Sequence, residues 1–155
     1  MLLSTSNKLV NLNTIKNKVV VFCYPRTGKP EEEPPHGWDE IPGARGCTPQ
    51  LCGINSKENL YEKFGVTVFG LSTQSNTYQK EVIERLNLKF DILSDSNLDF
   101  TKALHLPTFN VANMTLLKRL TLIIENGIIT KFFYPVFPST KAADDVLEYL
   151  TTQKS

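Results

Sequence analysis

The stretch GARGCTPQLCG, residues 43–53, holds two of the chain's three cysteines, Cys47 and Cys52. Two thiols this close admit a structural disulfide, half of a metal site, or a redox pair. A zinc site takes four ligands, usually in C-x-x-C or H-x-x-x-H clusters. Here there is one wider cysteine pair and two isolated histidines, His36 and His105, so no metal is expected. A protease-type cysteine nucleophile would need a neighbouring histidine and an orienting group. His36 is the candidate, because His105 falls in a segment that reads as an apolar helix and packs. Two unreactive helix cysteines are the plain alternative. Cys23, inside NKVVVFCYP, reads as a core residue.

Thiol redox chemistry runs through the thiolate, and a free cysteine is only about 3% ionised at pH 7. Cys47 falls at the start of a predicted helix, where unpaired N–H groups and the positive end of the dipole favour an anion. That end supplies about 1–2 kcal/mol of the roughly 3 kcal/mol needed for the thiolate to dominate, so a cationic hydrogen-bond donor must supply the rest. On one regular helix the Cα atoms of Cys47 and Cys52 lie about 8–9 Å apart on partly opposed faces. A disulfide tolerates at most about 7 Å. The pair can bond only if the first turn unwinds, and Gly46 and Gly53, both poor helix formers, flank that segment. Such a pair suits a bond that forms and breaks better than a permanent staple.

The elements that must position these residues follow from pattern. NKVVVFCYP reads as a buried strand over 18–24. A proline- and glycine-rich segment follows, too long for an ordinary connection and without periodicity; it includes the charge run Glu31 to Glu33. A helix is predicted over 49–64, capped by Thr48, with Pro49 in its first turn and Gly65 after its end. Then come VTVFGLST as a strand, SNTYQKEVIERLN as a helix, FDILSD as a short strand and NLDFTKALHL as a short helix. This βαβα alternation implies parallel pairing with helices on the sheet faces. KRLTLIIENGIITKFFYPVF reads as a hairpin turning at Asn126-Gly127, and STKAADDVLEYLTTQ as a closing amphipathic helix. The order matches an α/β, thioredoxin-like fold: a central mixed β-sheet flanked by helices.

With 155 residues, the chain is expected to form one domain over 1–155, large enough for its own core. Its 17 basic and 16 acidic residues are scattered, so neither nucleic acid nor an anionic membrane is an expected partner. The first residues lack a charged region followed by a long apolar run, and no later stretch could span a bilayer. A cytoplasmic location is expected.

The segments VVVFCYP (19–25), GCTPQLC (46–52), VFGLST (68–73), FDILSD (90–95) and KRLTLIIENG (118–127) resemble those of peroxiredoxins of the Q-type, or bacterioferritin-comigratory, class. The resemblance spans nearly the whole chain. It implies a thiol-dependent peroxidase acting on hydrogen peroxide and organic hydroperoxides, without a cofactor. By that resemblance Cys47 is the peroxidatic cysteine, whose thiolate opens the O–O bond and becomes a sulfenic acid. Cys52 is the resolving cysteine, which condenses with it to an intramolecular disulfide. Thioredoxin or a similar dithiol reduces that disulfide by exchange. Arg119 is the cation; on strand pattern alone it reads as an exposed edge residue beside Lys118. Gly46 and Thr48 fall among the substrate-binding residues, with the Gly46 and Cys47 N–H groups as donors. A monomer or weak homodimer is expected.

Departures from the family pattern are specific. The hydroxyl-bearing position three residues before Cys47 holds Ala44, and the family's proline position holds Glu40. Thr27 and Thr48 are candidates for the missing hydroxyl, Pro25 and Pro42 for the missing shield. The loop between Pro25 and Gly46 is long, and the N-terminal hairpin is short. Trp38, the only tryptophan, either lines a substrate mouth or pins the loop to the core. FPS (137–139) and LPTF (106–109) either border the site or merely pack. Two alternatives stand beside the peroxidase: a thiol–disulfide oxidoreductase, which usually carries C-x-x-C, and a non-catalytic redox sensor in which Ala44 marks lost turnover.

Overall fold

The computed structural model describes residues 1–28, 37–38 and 46–153. The Glu31 to Glu33 run, His36, Glu40, Pro42 and Ala44 lie outside the described residues. The strands of the main sheet are β1 (Leu2–Ser4), β2 (Leu9–Val10), β3 (Lys18–Cys23), β4 (Val66–Ser72), β5 (Asp91–Ser94), β8 (Leu120–Glu125) and β9 (Ile128–Phe133), in the order β2-β1-β5-β4-β3-β8-β9. β3, β4 and β5 run parallel; β8 and β9 close the other side antiparallel. Parallel strands buried on both faces need continuous apolar runs, and VVVFC of β3 is fully buried.

Strand alternation divides the core in two. Val20, Phe22 and Tyr24 face the helices α1 (Cys47–Ser56), α2 (Glu58–Lys63), α3 (Asn76–Leu86) and α5 (Lys141–Gln153). Val19, Val21 and Cys23 face the other way, packing with Leu117, Leu120 and Leu122, while Phe100 of α4 (Asp99–Ala103) borders that second cluster. Cys23 is thus the core residue its sequence context implies. Among the described residues no helix is long and apolar enough to cross a membrane.

The structure corrects several expectations. The predicted helix over 49–64 is two helices, starting at Cys47 and broken at Lys57. Near the end of α1, Ser56 Oγ donates to the Gly53 carbonyl at 2.8 Å, and Asn55 Oδ1 accepts from the Lys89 N–H. Such polar side chains compete with the helical ladder. Thr48 is not the cap; Gly46 is, with φ of 98° and no side-chain cap bond. His105 is exposed, beyond α4, with φ of 53°. A second hairpin, β6 (Thr108–Val111) with β7 (Met114–Leu117), was not anticipated; it turns through Ala112 and Asn113, both with positive φ. The Asn126-Gly127 turn is found where expected, again with positive φ at both residues.

Burial pushes the pKa values of the Cys23 thiol and of the Tyr24 and Tyr61 phenols far up from their ordinary 9.0, 10.0 and 10.0. The folded chain therefore keeps protons that the unfolded chain releases above about pH 9. Stability is expected to be flat below that pH and to fall above it, each group adding a slope of up to about 1.4 kcal/mol per pH unit once its unfolded form ionises. Denaturant midpoints measured between pH 8 and 11 check this, and Tyr24→Phe should flatten the decline.

Candidate active site

β3 and β8 set the site. Their antiparallel register pairs Cys23 with Leu120, which brings Arg119 opposite Tyr24, just past the end of the paired segment. Period-2 alternation then puts Arg119 on the same side as Ile123, the side covered by α1. Arg119 is only 4% exposed, so it is not the edge arginine that strand pattern alone suggests; Lys118 beside it is exposed. One arm of the guanidinium, Nη2, donates to Cys47 Sγ at 3.5 Å. The other, Nη1, donates to Gln50 Oε1.

Cys47 is buried at the first position of α1 and Cys52 is exposed on the same helix. The two thiols thus point to different environments, as a five-residue separation on a helix requires. Both are reduced. Leu51 and Ile54 fix the buried face of α1 in the core alongside Cys47, Tyr24 and Val136. Gln50, 1% exposed, was missed by sequence reasoning; the available signal was its place one turn beyond Cys47. Its Nε2 has no hydrogen-bond partner among the described residues.

Cys52 faces the end of α3. Asn55, one turn on, donates through Nδ2 to the Asn87 carbonyl at 3.1 Å, tying the two helices. Arg85 Nε donates to Glu81 Oε2 at 2.7 Å, and its Nη2 donates to the Gly28 carbonyl at 2.8 Å. The hydrogen bond to Glu81, chiefly, raises the Arg85 pKa.

A cavity of about 480 Å³ opens beside Arg119, lined by Phe109, Lys118, Tyr134, Pro135, Val136 and Phe137. Phe109 and Phe137, from LPTF and FPS, border the site rather than merely packing. The Trp38 ring lies 6.1 Å from that of Phe109 and 6.0 Å from the Arg26 guanidinium. It meets the cavity through Phe109. Of the two hydroxyl candidates, Thr27 is buried and engaged with Gln74, its N–H donating at 3.0 Å and Oγ1 at 3.4 Å. Thr48 is half-buried, about 100° around α1 from Cys47. Pro25 is buried. Among the described residues no group of three His, Cys, Asp or Glu is placed to hold a metal ion.

A mixed sheet with this strand order, a thiol at the first position of a helix and an arginine reaching it from the neighbouring antiparallel strand define a thioredoxin-like protein with a thiol centre. Residues 2–149 match the redoxin family model. The chain belongs to the redoxin family. It is 27% identical over 145 residues, 92% of the chain, to a chloroplastic peroxiredoxin Q of Suaeda salsa, of which it covers 60%. It is 30% identical over 89 residues, 57% of the chain, to peroxiredoxin Bcp of Escherichia coli, of which it covers 47%. The chain thus spans less than two thirds of the length of these curated relatives. Among solved structures, the peroxidoxin BcpB of Mycobacterium tuberculosis superposes with a TM-score of 0.79 at 19% identity, covering 99% of this chain and 92% of that one. A peroxiredoxin Q of Xanthomonas campestris gives 0.79 at 18%, covering 99% and 90%. These similarities carry the fold.

Proposed function

We propose that the chain is a single-domain, thiol-dependent peroxidase in which Cys47 is the peroxidatic and Cys52 the resolving cysteine. The observation that carries this reading is the Arg119 Nη2 contact with the buried Cys47 Sγ at 3.5 Å. A cation held against the sulfur at a helix start faces the charge that develops when the O–O bond breaks. The Cys47 thiolate attacks the terminal peroxide oxygen; an S–O bond forms, the O–O bond breaks, and the leaving alkoxide or hydroxide takes a proton from solvent. Cys47 becomes a sulfenic acid. The Cys52 thiol then forms the S–S bond and releases water. A thioredoxin-type dithiol restores both thiols by exchange, becoming oxidised itself.

Three features support this course. Cys52 is already exposed, so it needs no uncovering. The start of α1 has no side-chain cap and no acidic residue in its first turn, so neither of these devices reinforces the turn that must unwind before the sulfurs meet. The mostly apolar cavity beside Arg119 has room for the alkyl part of an organic hydroperoxide as well as for hydrogen peroxide. A cytoplasmic location, thioredoxin as the reductant and a monomeric or weakly dimeric state complete the reading.

One equivalent of hydrogen peroxide added to the reduced protein is expected to give a Cys47–Cys52 disulfide, identified by peptide mass spectrometry. Cys52→Ser should stop at a Cys47 sulfenic acid, trappable with dimedone, and lose turnover with a thioredoxin system while keeping the first step. A disulfide joining Cys23, or continued turnover of Cys52→Ser, would remove Cys52 from this role.

A further inference from the structure

We infer that Ser139 supplies, from the segment between β9 and α5, a hydroxyl that binds the hydroperoxide group at Cys47. This inference rests on the peroxidase reading and names a further substrate-binding residue for it. Ala44 leaves no hydroxyl at the position three residues before Cys47, and Thr27 is committed to Gln74.

Ser139 lies against the residue that precedes Cys47. A Cβ built on Gly46 would stand 2.3 Å from Ser139 Oγ and 2.9 Å from its Cβ, so the hydroxyl occupies the place a side chain at 46 would take. Ser139 is half-buried. Its backbone begins the turn into α5, the carbonyl accepting from the Ala142 N–H at 3.3 Å. The side-chain hydroxyl makes no hydrogen bond among the described residues, so it does not serve as a helix cap and stays available. The chain that delivers it, residues 134–137, is one wall of the cavity that Arg119 lines, and Val136 packs in the same core cluster as Cys47. Arg119 and Ser139 thus reach the start of α1 from two different elements, Arg119 at Cys47 Sγ and the Ser139 hydroxyl at Gly46.

Their chemistry is complementary. Arg119 and the backbone N–H groups at the helix start only donate, whereas the terminal oxygen of a hydroperoxide carries a proton that needs an acceptor. A serine hydroxyl both accepts and donates. In the reaction, Ser139 Oγ accepts from the terminal O–H and donates toward the oxygen that takes up charge. The terminal proton stays on the oxygen transferred to sulfur, and Ser139 ends with the proton it began with.

The test compares Ser139→Ala with the parent chain in two reactions of Cys47. Oxidation by hydrogen peroxide, followed by stopped flow, is expected to slow about 10- to 100-fold, the factor for one hydrogen bond to a developing charge. Alkylation by iodoacetamide, which has no hydroperoxide to hold, is expected to keep its rate. Oxidation of Ser139→Ala at the parent rate overturns the inference while leaving the peroxidase reading intact. A parallel loss in both reactions overturns it too, because it assigns Ser139 to shaping the helix start alone. A parent chain no more reactive with peroxide than free cysteine removes the peroxidase reading and this inference with it.

Discussion

Arg119→Ala is expected to slow oxidation of Cys47 by peroxide about 100- to 1000-fold, the cost of removing one preorganised donor from a developing negative charge. Arg119 is 4% exposed, and its guanidinium donates to Cys47 Sγ and to Gln50 Oε1. Its removal takes away the cation facing the sulfur and strips Gln50 of the partner of its carbonyl oxygen, while Gln50 Nε2 is already unpartnered among the described residues. Arg119→Lys keeps a charge but not a planar fork, so it can satisfy Cys47 or Gln50 but not both in this geometry. It should fall between parent and alanine. Resolution by Cys52 does not involve the arginine, so disulfide formation after the first step should proceed. Single-turnover kinetics separate the two steps; equal first-step rates in Arg119→Ala and the parent would remove arginine from the mechanism.

Gly46→Ala should damage both the fold and the chemistry. Gly46 holds a φ of 98° at the cap of α1, a conformation that costs a residue with a Cβ about 1–3 kcal/mol. The new methyl would also meet Ser139 Oγ at 2.3 Å, too close without displacement of one chain or the other. Because Gly46 directly precedes Cys47, that displacement moves the sulfur relative to Arg119, and a shift of about 1 Å can cost on the order of 100-fold in rate. An unfolding free energy lowered by about 1–3 kcal/mol in denaturant titration, together with a loss of peroxide reactivity, is the expected pair of results. By contrast Gly53, whose Cβ position is open, should accept alanine with the stability of α1 slightly raised and the unwinding step slowed.

How far the sequence alone could reach depends on the range of the interaction. Alternation in VVVFC and the Asn126-Gly127 turn are local signals, and the strand and the hairpin they imply are both present. Cys47 and Cys52 were readable as differently facing thiols because helix geometry relates them within five residues. Arg119 was ambiguous, since only the pairing of β8 with β3 turns it inward; resemblance to a family resolved what pattern alone could not. The break at Lys57 was hidden because the side chains of Ser56 and Asn55 act through partners, one of them in the distant segment between α3 and β5. The β6–β7 hairpin lacked a turn glycine, its Ala112 taking a positive φ that alanine seldom adopts. Ser139 against Gly46 is a contact between distant parts of the chain, set by how the segment before α5 crosses the helix start, and no local pattern announces it.

The central claim is that Cys47 is built to react with peroxide, and the second-order rate of its oxidation by hydrogen peroxide tests that most directly. Stopped-flow measurement on the reduced chain, with free cysteine at the same pH as reference, should show Cys47 oxidised orders of magnitude faster, with Cys23 untouched. A rate for Cys47 no greater than that of free cysteine would contradict the account.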